Sequence, residues 1–553
     1  MGENRAGGID MRMANILRET IIRGAIALTV ILGIFTIGIF SAQAQPVSLL
    51  KQTHDRARVE PLPPAELDEL GDPFFNLVLQ KRPDVTNLTD IENLMQPDAT
   101  ETYVVDERIV DKRLGQSRRG ILAFRGETDG EFLEPNVMMS VAFDSEKFSE
   151  TPDFLEVWGW DSQRGRYNFY KLDRSGTNEL SWKFRGSSVG ASALTPRQRT
   201  GTCMACHVNG APIMKELFFP WNNWHSFASE ATYLKAEQPD RWPVAESKRL
   251  KEHLTSAEKL EKLIIPAIRR FNTRKINASV RTDRAVVEVT DAKELLKPLF
   301  QTTEVNFISS DRPSNLHPFS DTTSQSEIAI PDSFFLNVEL IAGGGFAGYR
   351  GLGITESRQF SEMAKVEAAE YDRLVQESAV KLAGQRPGDS HFAWFVPEAS
   401  HIDNDEIDQL MGKGIVPREF VASVMAIDLE NPILSTDRQR LLDFIPDRFQ
   451  VKPTNTLIPQ TIAALKRVNP SSDSPEGRFL TRLESDDPIA ELRDEVNDYL
   501  ARETQLLNGG DEATRFVELK RLYSMAISRR TNLVRDEVLG NLNEAQGLLL
   551  PLP

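Results

Sequence analysis

The chain has 553 residues, and its formal net charge is −16. A sequence of this length is too long for one small core, so two or three domains are expected. The acidic balance argues against a nucleic acid as partner, because phosphate binding needs clustered basic side chains.

Residues 1–44 have the pattern of a secretory signal peptide. A basic part is followed by an uncharged, mostly apolar run at 24–40 and by the small-x-small sequence Ala42-Gln43-Ala44. The basic part contains Arg12, Arg18 and Arg23. An uncleaved membrane anchor is the alternative, although the apolar run is short for a span. We expect cleavage near Ala44, a periplasmic or otherwise exported protein, and membrane contact only if the leader is kept.

Residues 45–119 form a mixed, polar N-terminal segment with weak helical signals. The region 120–254 is different, because turn residues separate short runs rich in β-branched and aromatic side chains. These runs lie at 121–124, 137–143, 154–160, 167–172 and 180–184. They predict an antiparallel β-meander that leads into the next motif.

That motif is Cys203-Met204-Ala205-Cys206-His207, and it uses the only two cysteines in the chain. C-x-x-C-H is the attachment signature of c-type haem. Two intervening residues hold both sulfurs against one edge of the porphyrin, and His207 can then reach the iron as the proximal ligand. The motif predicts one covalent haem c.

On these residues the chain resembles the c-type cytochromes, over about one small domain. The resemblance implies a redox role and a redox partner protein, and export agrees with it because haem c is usually attached outside the cytoplasm. Three other interpretations of the cysteines are weaker. A thioredoxin-like pair gives the histidine no role, zinc needs more ligands, and a disulfide across two residues constrains almost nothing.

Three possibilities remain for the second axial position of the iron. Small cytochromes c place a methionine some tens of residues after the motif, but here none follows Met214 until Met363. Met214 and His225 are the near candidates. The distant candidates are His391, His401, Met411 and Met425. The third possibility is an open iron, which implies a haem that binds or activates small molecules.

Trp221 and Trp224 precede His225 and are candidates for the flat, apolar wall that a porphyrin needs. Six of the chain's seven tryptophans lie between 158 and 242. The alternative is that these side chains fill the core of the β-rich region.

The regions 255–468 and 469–553 are expected to be mostly helical, with a polar loop at 309–327 and a linker at 469–477. The first helix begins near Ser256. Further helices are predicted at 360–383, 403–412, 417–426, 436–443, 457–467, 488–507 and 511–547. The fold class predicted for the whole chain is α+β and mostly α.

Two further motifs have competing interpretations. His391 and His401 bracket an apolar stretch, and an acidic run follows it. The whole segment fits a distal haem wall with a proton relay. It equally fits a strand and turn in which Asp403 caps a helix. The acidic run contains Asp403, Asp405, Glu406 and Asp408.

Gly343, Gly345 and Gly348 match a dinucleotide-binding pattern, but no surrounding strand and helix array supports it, so a glycine loop is expected.

Two functions follow. The first is an exported monohaem c-type cytochrome with an electron-transfer role. The second is a haem-dependent enzyme of peroxidase, oxygenase or lipid isomerase type, with an open or displaceable sixth ligand and with His225, His391 or His401 as the acid or base. The sequence leaves enzymatic activity and oligomeric state open.

Overall fold

The computed structural model describes most of the chain between residues 70 and 535. The described residues are 70–96, 99–106, 118–125, 136–143, 155–174, 180–188, 212, 254–256, 260–302, 305–309, 327–330, 332–344, 348–354, 365–367, 369–370, 373, 395–433 and 435–535.

Seven of the described strands form one sheet in the order β6-β5-β4-β3-β2-β1-β7. The strands are β1 (Ala99–Asp106), β2 (Arg118–Arg125), β3 (Val137–Phe143), β4 (Leu155–Asp161), β5 (Arg166–Arg174), β6 (Leu180–Ser187) and β7 (Leu254–Ser256). The first six pair antiparallel with their sequence neighbours, whereas β7 pairs parallel with β1. The predicted meander is confirmed in these strands. β1 lies in the segment for which only weak helical signals were predicted.

One face of the sheet forms the first apolar core. Phe124, Val157 and Tyr170 point to this face and pack against a π-helical turn (Phe75–Leu79) and helix α1 (Leu88–Met95). The buried carboxylate of Asp72 accepts hydrogen bonds from Phe75 N at 3.0 Å, from Asn168 Nδ2 at 2.8 Å and from the hydroxyl of Tyr170. These bonds attach the N-terminal segment to the sheet.

Position 159 of β4 can hold only glycine, because a Cβ there would overlap the carboxylate of Asp72. The absence of a side chain lets the π-helical turn approach the strand closely.

The opposite face of the sheet is also buried and is rich in aromatic side chains. It presents Trp158, Trp160, Tyr167 and Phe169, all at most 8% exposed. Helix α2 (Leu260–Ser279) lies against the end of this face, where the Tyr167 hydroxyl donates to Ala267 O at 3.1 Å. The helix predicted to begin near Ser256 is present, but Ser256 itself is the last residue of β7, and the helix is described from Leu260.

The rest of the described chain is helical with short strands between the helices. The further helices are α3 (Ala292–Phe300), α4 (Val338–Ile341), α5 (His401–Gly412), α6 (Arg418–Met425), α7 (Thr436–Leu441), α8 (Leu457–Val468), α9 (Pro475–Leu483), α10 (Pro488–Asn508) and α11 (Glu512–Arg535). The further strands are β8 (Val280–Asp283), β9 (Val286–Val289), β10 (Val305–Ser309), β11 (Glu327–Ala329), β12 (Lys365–Glu367), β13 (Phe395–Ala399) and β14 (Phe449–Lys452). Single 3₁₀ turns lie at Asp332–Phe334 and Leu442–Phe444.

Two predictions for this region were wrong in part. The helix expected at 360–383 contains strand β12, because Val366 is buried opposite Ile328 of β11 and this pairing overrides the helical spacing. The linker expected at 469–477 already contains the start of α9, since the Ser474 hydroxyl caps that helix by accepting from Gly477 N at 3.1 Å.

A second apolar core joins the helices from both sides of residue 469. At its centre Phe300 of α3, Phe420 of α6 and Phe479 of α9 contact one another edge to face, with ring centroids 5.9 to 6.3 Å apart. Full burial of three phenylalanines contributes several kcal/mol to folding, on the order of 2 kcal/mol each. The fold is of the mixed α+β type. Among the described residues, no helix has the length and apolar character that a membrane span requires.

Candidate functional site

The predicted haem-attachment residues lie outside the described part of the chain. This is true of Cys203, Cys206 and His207, and also of the candidates Met214, Trp221, Trp224, His225 and His391. What the structure describes is the scaffold on either side of them and the second candidate region around His401.

The strands that flank the motif lie at opposite edges of the seven-stranded sheet. β6 ends at Ser187 on one edge, and β7 begins at Leu254 on the other, where Thr102 of β1 is its register partner. Six strand spacings separate the two edges, or roughly 29 Å at about 4.8 Å each. The connection that carries the Cys-x-x-Cys-His motif therefore begins after one edge strand of the sheet and ends before the other.

Three of the tryptophans are core residues of that sheet. Trp158 and Trp160 lie on the second face, and each packs against Tyr167 with ring centroids less than 5 Å apart. Trp182 lies on the first face and donates from Nε1 to Val85 O at 2.7 Å. For these three side chains the core interpretation is correct.

Helix α2 joins the sheet to the helical region through Arg270. Its guanidinium stacks 4.5 Å above the ring of Trp160, donates to the Tyr167 hydroxyl at 3.0 Å and donates to Asn136 Oδ1 at 3.3 Å. A cation held over an indole and hydrogen bonded on both sides has little freedom to move. The position of α2 relative to the sheet is therefore fixed at this point.

Helix α5 is the most unusual element in the described chain, because its polar side chains are buried. Asp403, Asp405, Glu406 and Asp408 are all less than 9% exposed, in a helix with few apolar residues. Buried carboxylates are costly unless hydrogen bonds or ion pairs compensate them. Such clusters occur at functional sites more often than elsewhere, although structural networks also produce them.

The start of α5 corrects one prediction. Strand β13 precedes the helix as expected, but the N-cap is Ser400, whose hydroxyl accepts from Asp403 N at 3.2 Å. Asp403 lies in the first turn, where a negative charge is favoured by the helix dipole.

The His401 imidazole faces a half-buried carboxylate, that of Glu339. Its Nδ1 lies 3.6 Å from Glu339 Oε2 and 3.5 Å from the Tyr349 hydroxyl, and Asn404 Nδ2 donates to the same Glu339 oxygen at 2.8 Å. Burial acts to raise the pKa of Glu339, but the charge of His401 and the two hydrogen bonds outweigh it and lower that pKa. A carboxylate that orients an imidazole is the arrangement that general acid–base catalysis uses.

A second polar contact connects α5 to α2. Asp405 accepts from Arg269 Nε at 3.2 Å and from Asn272 Nδ2 at 3.0 Å, while Glu406 Oε2 accepts from Lys275 Nζ at 2.7 Å. Burial raises the pKa of Glu406 to about 7, with Lys275 opposing the rise. Thus α2 contacts the sheet on one side and the buried carboxylates on another.

The glycine loop is held by α5 as well. Arg350 N and Gly351 N both donate to Asp408 Oδ1 at 2.9 Å. A carboxylate of the protein thus binds the backbone amides of Arg350 and Gly351, which follow the glycine pattern. The expected glycine loop is present, with positive φ at Gly343, Gly344 and Gly348.

The distant methionine candidates differ in their surroundings. Met425 of α6 is buried in the second apolar core. Met411 of α5 is partly buried and packs against the same core. Both have the environment of ordinary core residues. Among the described residues, no group of three or more histidine, cysteine or acidic side chains is arranged to hold a metal ion.

Sequence reasoning found the acidic run and His401 but missed their partners. Glu339, Tyr349 and Lys275 are far away in the sequence and carry no local motif.

Comparison with known proteins found no matching family model, no similar curated protein and no similar solved structure.

Proposed function

We propose that this protein is an exported monohaem c-type cytochrome with an electron-transfer role. The observation that carries the proposal is the Cys203-x-x-Cys206-His207 motif, which uses both cysteines of the chain. A leader with a cleavage site near Ala44 agrees with it independently.

The donor set fits haem c. Two thiols at this spacing can form thioether bonds to the two vinyl groups, and an imidazole next to the second thiol can bind the iron. Bound haem c supplies one-electron redox chemistry. The role of the chain is to hold the group, to exclude water from it, and to orient the ligand on its second face, for which Met214 and His225 are the near candidates.

The described scaffold is consistent with such a role. The strands that precede and follow the motif-bearing connection, β6 and β7, are the two edge strands of one sheet, and functional residues are commonly carried by loops on a rigid scaffold. The net charge of −16 favours a basic redox partner, since opposite charge accelerates encounter.

The direct test replaces both thiols. In a Cys203→Ser, Cys206→Ser chain we expect complete loss of covalent haem, measured by haem staining on a denaturing gel of the protein purified from a host with a haem c attachment system. Thr202→Ser is the matched control, because it changes the neighbouring side chain and leaves both thiols in place. Covalent haem in the double variant would refute the proposal.

A second candidate function is a haem-dependent enzyme with an open or displaceable sixth ligand. The paired His401 and Glu339 favour it, because they form a partly buried acid–base group outside the attachment motif. The size of the chain also exceeds the roughly hundred residues that an electron carrier needs.

Carbon monoxide distinguishes the two functions. For the electron carrier we expect a low-spin optical spectrum, oxidised and reduced, that carbon monoxide does not change, since both faces of the iron are occupied. A high-spin spectrum, or rapid carbon monoxide binding to the reduced protein, would instead establish an open site and favour the enzyme.

A further inference from the structure

One rim of the seven-stranded sheet carries both ends of the motif-bearing connection and also the turn between β4 and β5. Strands β1 to β6 alternate in direction, and β7 runs parallel to β1. Strand β6 therefore ends on the side of the sheet where β7 begins, and β4 ends there too. Ser188, the first residue after β6, is bonded to this rim, because its N donates to Tyr167 O and its Oγ accepts from Tyr167 N, both at 2.9 Å.

Arginine side chains gather at the turn between β4 and β5. Arg164 and Arg166 approach the buried carboxylate of Asp161, with Arg164 Nη1 at 3.3 Å and Arg166 Nε at 3.8 Å from its Oδ2. Arg274 reaches the turn from α2, and its side chain lies so close to Gly165 that a Cβ at that glycine would overlap it. Three arginines thus meet at one turn, in a chain whose net charge is −16.

The protein neutralises this positive charge only in part. Arg274 is exposed and has no carboxylate partner among the described residues. The Arg164 side chain is 41% exposed and shares Asp161 with Arg166. A guanidinium presents a planar fork of donors that matches the two oxygens of a carboxylate. Two such side chains at one rim therefore suit an anionic group that carries two carboxylates.

The backbone of α2 presents Arg274 to the turn in a fixed position. Arg270 lies one helical turn before Arg274 on the same face of α2, and its guanidinium is held 4.5 Å above the ring of Trp160. A group whose backbone is already in place loses less freedom when it binds.

We propose that Arg164 and Arg274 bind the two propionate carboxylates of the haem that the motif-bearing connection carries. The assignment rests on the proposed function, because the propionates belong to the haem. It stands on the position of these arginines at the rim where the connection leaves the sheet and returns to it.

The test is the midpoint potential of the covalent haem, measured by spectroelectrochemical titration of the full protein. Reduction lowers the charge of the haem by one, so a nearby cation favours the reduced state. In Arg274→Ala we expect the equilibrium constant for reduction to fall by about three- to tenfold, where tenfold corresponds to about 59 mV for one electron. Arg164→Ala should act in the same direction, whereas Arg274→Lys keeps the charge and should retain most of the wild-type potential.

Arg493→Ala is the matched control, because Arg493 is an exposed arginine of α10 in the helical region. It removes the same charge and should leave the equilibrium constant within about 1.5-fold of the wild type, since solvent and salt screen distant surface charges. Haem staining of every variant separates the two proposals. Covalent haem with the same potential in Arg274→Ala as in Arg493→Ala would overturn the arginine site alone, whereas a wild-type protein without covalent haem would refute the proposed function as well.

Discussion

His225 is the single residue whose replacement says most about the ligands of the proposed haem iron. It lies in the sequence Trp221-Asn222-Asn223-Trp224-His225, close after the attachment motif. If its imidazole is the second axial ligand of the proposed haem, His225→Ala removes a strong-field ligand. We expect conversion of most of the haem from low to high spin, measured by the optical spectrum of the oxidised protein.

The control for this prediction is His317→Ala, which removes a histidine that no motif singles out. It should leave the spectrum as it is in the wild type. An unchanged spectrum in His225→Ala would exclude this ligand, and Met214→Leu would then be the next variant to measure.

How far single residues can be understood from sequence depends on where their partners lie. Cys203, Cys206 and His207 form a local motif, and their spacing alone indicates the chemistry. His401 is recognisable only as a histidine before an acidic run, because its partner Glu339 lies on another helix. The need for glycine at position 159 is equally invisible, since it arises from the approach of Asp72 in the folded chain.

Among the elements, α2 joins the second face of the sheet to the second apolar core, and Arg270 is one of its contacts with the sheet. Arg270→Ala removes a stacked guanidinium and two hydrogen bonds. We expect the free energy of unfolding to fall by about 1 to 3 kcal/mol, measured by urea denaturation.

Arg281→Ala is the comparison, since Arg281 is exposed on β8. Its effect should stay within about 0.5 kcal/mol. Equal effects in the two variants would show that the contact of Arg270 with Trp160 and Tyr167 adds nothing to stability.

Elements with a clear local signal were predicted, and those that depend on distant pairing were missed. Strands β2 to β6 have β-branched and aromatic runs between turn residues, and helices such as α6 and α8 show apolar spacing. β12 is too short to have a pattern of its own and exists because it pairs with β11, whereas β13 was expected as part of the strand and turn before α5. The buried polar helix α5 shows the same limit: its position was expected, but its burial was not.

At the scale of the whole molecule, the sheet with the first apolar core and the helices around the second core make up the mixed α+β fold, and α2 packs between the second face of the sheet and the helices. The first core rests on the sheet and the second on the helices that follow. Because α2 is fixed at Arg270 and at Lys275, the sheet that anchors the motif-bearing connection is mechanically joined to the buried carboxylates of α5.

The parallel pairing of β7 with β1 has a consequence for the order of folding. Neighbouring strands from β1 to β6 are close in sequence and can pair as soon as they are made, whereas Thr102 and Leu254 are about 150 positions apart. Contacts of such long range form late. Until they do, β1 presents an unpaired edge that invites association with other chains. For the proposed exported cytochrome, attachment of haem to Cys203 and Cys206 would then fall in the same stage of maturation as this risk of aggregation.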